Sequence, residues 1–279
     1  MSTNASGGWV RRFDRSDSVL HGCLMVSFLG VSLTGLPLLF SASPWASGLV
    51  TAFGGFRAAG VLHRCFAVLM IATFAGHLGK LFVRIFGQKD YAILWGPRSM
   101  VPHPRDLGDM VGHLKWFLGL GPRPDFDRFT YWEKFDYWAV FWGMAVIGGS
   151  GLMLWFPALF SRVVPGWVFN VALIVHGEEA LMATTFIFTV HFFNGHIRPE
   201  KFPMDTVIFT GRMPTEELRL ERPSEWARVQ EEDGGMAAIE TYAPSQALLL
   251  LGRTIGTIGV VLGLTLAGLC IWALAFAHH

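Results

Sequence analysis

The sequence predicts an all-α membrane protein, a bundle of five transmembrane helices in which a four-helix core is followed by one extra C-terminal helix. Three observations carry this. Of 279 residues, 52% are hydrophobic and only 15% are charged, where a soluble chain carries about 25% charged residues. Mean hydropathy is +0.42. The charges are also segregated, leaving five apolar stretches of roughly 20 residues or more, the length that crosses a hydrocarbon layer. Disorder, a coiled coil and a secreted disulfide scaffold are excluded, and a net charge of +1 offers no footprint for nucleic acid.

Taken in order, residues 1–17 form a polar tail containing Arg11, Arg12 and Arg15. The first helix is expected over 18–40; it is longer than a signal-peptide apolar region and carries a histidine, so it belongs to the mature protein. The second helix is expected over 56–85. The loop 86–136 contains Asp106–Leu120, in which Leu107, Met110, Val111, Leu114 and Phe117 recur at helical spacing, so it is expected as an amphipathic helix on the membrane surface. The third helix is placed at 137–156 and the fourth at 167–193, completing a core that runs over 18–205. A polar linker follows over 206–244, with the acidic run Glu231-Glu232-Asp233 before Gly234-Gly235. The fifth helix, over 245–276, has Gly252, Gly256, Gly259 and Gly263 at small-xxx-small spacing, which suits packing against a neighbouring helix, a partner helix or a second copy. It leads to a short external tail, 277–279.

Basic residues set the expected orientation. Three precede the first helix, nine lie between Lys80 and Lys134 and six between Arg198 and Arg228, whereas the alternate loops carry only Arg57 and Arg162. The positive-inside rule then puts the N-terminus in the cytoplasm and Ala277-His278-His279 outside. No phosphate-binding loop, dinucleotide fingerprint or repeat is evident, so any chemistry is expected inside the membrane.

Five histidines fall in the apolar segments, where ionisable groups are rare and usually functional. His21 opens the first helix, His63 and His77 lie on the second, and His176 and His191 on the fourth. The intervals are 14 and 15 residues, each close to four helical turns or about 21 Å of rise. By depth, His63 and His176 form an outer pair, while His21, His77 and His191 gather near the inner end. Neutral imidazoles at two depths of an apolar bundle are what bis-histidine haem requires; hydrogen-bonded packing is the bland alternative for any one of them. Zinc suits the pattern less, because it seeks four close ligands. Cys23 and Cys65 each lie two residues from a histidine, hence on opposite helix faces, and read as small hydrophobes. No C-x-x-C-H for covalent haem attachment occurs. Arg57 and Arg64 near the outer pair could meet haem propionates, and Gly30, Gly35, Gly76, Gly79 and Gly177 could let a flat macrocycle approach.

Arg12-Phe13-x-Arg15 leading to His21, Leu33-Thr34-Gly35-Leu36, Leu62-His63-Arg64, His176-Gly177-Glu178-Glu179-Ala180 and His191-Phe192-Phe193-Asn194-Gly195-His196 together resemble the di-haem cytochrome b subunits of respiratory formate dehydrogenases and nickel–iron hydrogenases. The runs Phe129–Trp138 and Arg198–Asp205 look like the members that work with multihaem c-type cytochromes. The resemblance implies two haem b groups, His63 and His176 ligating the outer one and His21 and His191 the inner one, with residues such as Arg64 close by. It also implies electron transfer between quinone or quinol in a bacterial inner membrane and a periplasmic redox partner. Two departures stand out. The fourth-helix interval is one residue longer than the family's 14, which implies a local bulge or a rotated ring. His77 is extra, and its spacing from His63 would suit a His77–His191 pairing instead of His21–His191, or a third haem.

Quinone chemistry also needs a proton-exchanging group. Glu178 and Glu179, within three residues of His176, are the candidates on the fourth helix. The resemblance places quinone instead near the inner haem, where Asp136, Tyr137, Asn194 and His196 are available. The rival readings are a transporter or proton channel relaying through histidine and glutamate, and a membrane anchor whose haem only stabilises the bundle. The chain is expected to be an electron-transfer subunit of a quinone-linked oxidoreductase rather than an enzyme complete in itself.

Overall fold

The computed structural model describes residues 8–231 and 239–276. Most of the acidic run at 231–233, Gly234-Gly235 and the tail Ala277-His278-His279 lie outside the described residues. Five helices are long and apolar enough to cross a membrane: Arg15–Leu39, Phe56–Gly87, Tyr131–Trp155, Trp167–Ile197 and Gln246–Phe276. The chain divides into two compact units.

One unit comprises residues 19–77, 140–205 and 251–279 and holds most of the apolar helical length. Its core is Leu36, Phe188, Phe192, Leu266, Ala267 and Cys270, with Phe28, Leu29 and Leu181 packed around them. The fifth helix reaches this core through its glycines. A Cβ at Gly263 would meet the Phe188 and Phe192 rings, one at Gly256 would meet Met204, and one at Gly259 would sit 3.6 Å from Leu29. The stripe Gly252, Gly256, Gly259 and Gly263 is buried. Its small residues let the helix close on its own chain, so a partner helix or second copy would have to use another face.

The long helices are not uniform. Wide π-helical turns occupy Val83–Gly87, Met144–Gly148, Ile187–His191 and Phe193–Ile197. The third helix begins at Tyr131 and the fourth continues to Ile197, six and four residues beyond the expected ends. Polar Glu133, Lys134 and Asp136 disguise the former, and Asn194-Gly195 disguises the latter. The turn at Ile187–His191 is the bulge that a 15-residue interval calls for, since a π-turn takes up one residue more than an α-turn.

The other unit comprises residues 1–18, 78–139 and 206–250. Its centre is a three-stranded antiparallel sheet in which Trp9–Arg11 lies between Arg212–Pro214 and Ile239–Glu240. Val10, Val207, Met213, Leu218 and Val229 fill the small core beneath it. The segment expected as a linker therefore supplies two strands and several short helices. The expected surface helix is present over Pro104–Phe117, with Leu107, Met110, Val111, Leu114 and Phe117 exposed along it.

Ion pairs hold this unit together. Arg12 and Glu225 pair with both side chains 2% exposed, and Arg128 reaches the other Glu225 oxygen at 3.0 Å. Arg222 pairs with Glu133 at 2.8 Å and Arg228 with Asp127 at 2.6 Å. Burial opposes ionisation of Asp127, but the hydrogen bonds from Arg228 and the Arg128 backbone, with the charges of Arg228 and Arg105, together outweigh it and hold the carboxyl below its ordinary value. Burial, together with Arg98 and Arg228, brings the Arg128 guanidinium down to about 10.

Candidate functional site

The first helix brings the dipeptide Thr34-Gly35 against His63 of the second, and the third brings Ser150-Gly151 against His176 of the fourth. The two arrangements match atom for atom. A Cβ on Gly35 would lie 2.8 Å from His63 Cε1, and one on Gly151 would lie 2.9 Å from His176 Cε1. Only glycine lets an imidazole lie that close to the neighbouring backbone.

The hydroxyls repeat the pattern. Thr34 Oγ1 donates to the Gly30 carbonyl at 2.7 Å and lies 3.1 Å from His63 Nδ1. Ser150 Oγ donates to the Val146 carbonyl at 2.6 Å and lies 3.3 Å from His176 Nδ1. His176 Nδ1 is also 3.0 Å from the Ile147 carbonyl, which belongs to the wide turn Met144–Gly148, and the Val31 backbone is close to His63. The Ile147 carbonyl can only accept, and the Thr34 hydroxyl, its own proton given to Gly30, accepts from His63, so the proton of each ring sits on Nδ1 and the lone pair on Nε2. Metal-bound histidines are held in this tautomer in the same way.

The two ring centroids are 6.2 Å apart with planes at 84°. An imidazole nitrogen lies roughly 1 Å from its ring centre and bonds a metal at about 2 Å, so two rings sharing one metal in line have centres about 6 Å apart. The separation of the pair is that of two rings sharing one metal. Among the described residues no group of three or more His, Cys, Asp or Glu could hold a metal ion. Arg64, next to His63, lies over the Trp155 ring at 5.9 Å.

His21 is within electrostatic reach of His191 and of His196, and the His191 and His196 rings are 6.3 Å apart. His77 packs edge-on against Phe141 at 6.2 Å. His196 thus stands beside two of the three histidines expected at the inner end. Of the other residues expected near this group, Asp136 and Tyr137 belong to one unit, and Asn194 and His196 to the other.

Glu178 is exposed on the surface of the fourth helix. Glu179 turns toward the third helix, where its Oε2 accepts a hydrogen bond from Trp142 Nε1 at 3.2 Å. One helical turn along these two faces lies a shallow apolar groove of about 410 Å³, lined by Ala145, Gly149, Ser150, Ala172 and Val175 among others. Of the other glycines considered for close approach, Gly30 lies under Phe66, Gly177 near Leu39 and Gly76 near Leu20, while Gly79 faces open space.

No family model and no curated protein matches the chain. The candidate site stands on the geometry of its own residues.

Proposed function

We propose that this chain is a di-haem b-type cytochrome of a bacterial inner membrane, carrying electrons between the quinone pool and a periplasmic redox partner such as a multihaem c-type cytochrome. The observation that carries the reading is the His63–His176 pair. Its two rings have the tautomer and separation that shared axial ligation requires, and both Nδ1 atoms are already engaged by backbone and hydroxyl. His21 and His191 would hold the second haem. Haem, when bound, supplies an iron that takes up and releases single electrons.

The protein's own contribution is orientation and proton handling. Val31, Thr34, Ile147 and Ser150 fix both rings and raise the donor strength of Nε2. Glu179, steadied by Trp142 at the end of a lipid-facing groove, is placed to accept the proton of a quinol hydroxyl, with Glu178 beside it as the exposed partner in exchange. The sequence resemblance and the 18 basic residues on one set of loops support the same assignment, with residues 8–18 on the cytoplasmic side.

A reduced-minus-oxidised spectrum of the purified chain tests this. The expected result is a b-type α-band with two haems per polypeptide, reoxidised by a soluble quinone. His176→Ala should remove one low-spin haem. Full haem content in that variant would overturn the ligand assignment, and haem that no quinone reoxidises would reduce the chain to a haem-stabilised anchor.

A further inference from the structure

His196 is not among the ligands that the sequence suggests, yet the structure brings it to them. In an α-helix, residues five apart face directions about 140° apart, so a regular fourth helix would turn His196 well away from His191. Two wide turns, Ile187–His191 and Phe193–Ile197, replace that geometry. Closing a turn between residues five apart brings them nearly one above the other. The two rings accordingly approach to 6.3 Å at 88°, and His21, on the first helix, is within electrostatic reach of both.

His191 and His196 cannot hold a haem between themselves. They project from adjacent turns of one helix, and a macrocycle inserted between them would have to pass through its backbone. Each would need a partner from another helix, and His21 is within electrostatic reach of both. The buried Nδ1 of His196 makes no hydrogen bond of good geometry, although the backbone of the preceding Gly195 is close by. Asp205, ion-paired to Lys201 at 3.1 Å, is within electrostatic reach of the same ring.

We propose that His196 is a second, interchangeable axial ligand for the haem held by His21, so that this haem is six-coordinate through His21–His191 or through His21–His196. The exchange breaks one iron–nitrogen bond and forms another, with no net change in electrons or protons. It rests on the haem reading above and adds a ligand to it.

The test is the haem content and coordination of four proteins: wild type, His191→Ala, His196→Ala and the double variant. The absorption of the His63–His176 haem serves in each as the sign that the bundle is folded. His191→Ala is expected to keep both haems low-spin, with the potential of one of them moved because its ligand has changed. His196→Ala is expected to keep both haems, and the double variant only one. A His191→Ala protein that keeps the His63–His176 haem but loses the other, or turns it high-spin, overturns the proposal and leaves the haem reading intact. Wild type without two haems would instead sink the haem reading. Should His191→Ala lose both haems, His191→Gly assembled with free imidazole and then dialysed decides the matter. A haem that stays six-coordinate supports ligation by His196, and one that becomes high-spin excludes it.

Discussion

The two histidine groups are built by different means. At His63 and His176 each ring lies over a glycine of the adjacent helix and is hydrogen-bonded by the hydroxyl one residue before it, so both rings are fixed by contacts from outside their own helices. At His21, His191 and His196 the arrangement comes from the winding of the fourth helix itself, where two π-turns stack residues that an α-helix would separate. One group is held in a single geometry, while the other offers a choice of partner. Rigidity in a membrane bundle thus follows from what a neighbouring helix presents, and latitude from local departures in helix pitch.

The largest effect expected on this contrast is at the glycines. Gly35→Val or Gly151→Val would push a side chain into an imidazole and should abolish the His63–His176 haem, leaving one haem per chain by pyridine haemochrome assay. Gly195→Ala, whose Cβ meets nothing within 4 Å, should leave two. Equal haem loss from Gly195→Ala would erase the distinction between the groups.

Shortening the fourth helix comes next. Deleting Val190 restores a 14-residue interval and should convert Ile187–His191 to regular helix, which keeps the direction of His191 because the wide turn takes up that residue. The haem held by His21 should stay bound with a shift in potential, while the His63–His176 haem is unchanged, because its contacts lie before the deletion.

Removing the hydroxyls should do less. Thr34→Val and Ser150→Ala each leave a carbonyl for Nδ1, so haem affinity at the first group should fall by roughly tenfold, measured by haem transfer to apomyoglobin. Smallest of all is a spectroscopic signature. Nearly perpendicular ligand planes should give the His63–His176 haem a strongly anisotropic low-spin electron paramagnetic resonance signal, and a rhombic one would show that the rings reorient when they bind iron.

Much of this was legible in the sequence. Runs of apolar residues located all five long helices, and histidines at matched depth marked the pairing of the second helix with the fourth. The interval of 15 residues between His176 and His191 left open a bulge or a rotated ring, and a wide turn is present at Ile187–His191. The repeat Val31-x-x-Thr34-Gly35-Leu36 and Ile147-x-x-Ser150-Gly151-Leu152 was also present in the letters, but a hydroxyl followed by glycine is common in membrane helices and gains meaning only when each is seen against a histidine. His196 is readable from the sequence as a residue near the quinone but not as a neighbour of His191, because Asn194-Gly195 reads as a helix end, whereas the helix continues past them with widened turns. The exposure of Glu178 follows from helical rotation, since two residues turn it about 200° from His176. The three-stranded sheet could not be foreseen. Strands of two or three residues carry no periodicity, and their pairing joins parts of the chain far apart in sequence.

That last feature bears on biogenesis. The strand Trp9–Arg11 is made first yet occupies the middle of its sheet, and neither flanking strand exists until residues 212–214 and 239–240 have been synthesised. At ordinary translation speeds the intervening roughly 200 residues take on the order of 10–40 s to emerge. During that delay the amino-terminal segment has no strand to pair with, while the helices behind it are already entering the bilayer. Closing the sheet therefore waits until the first four long helices have all been synthesised.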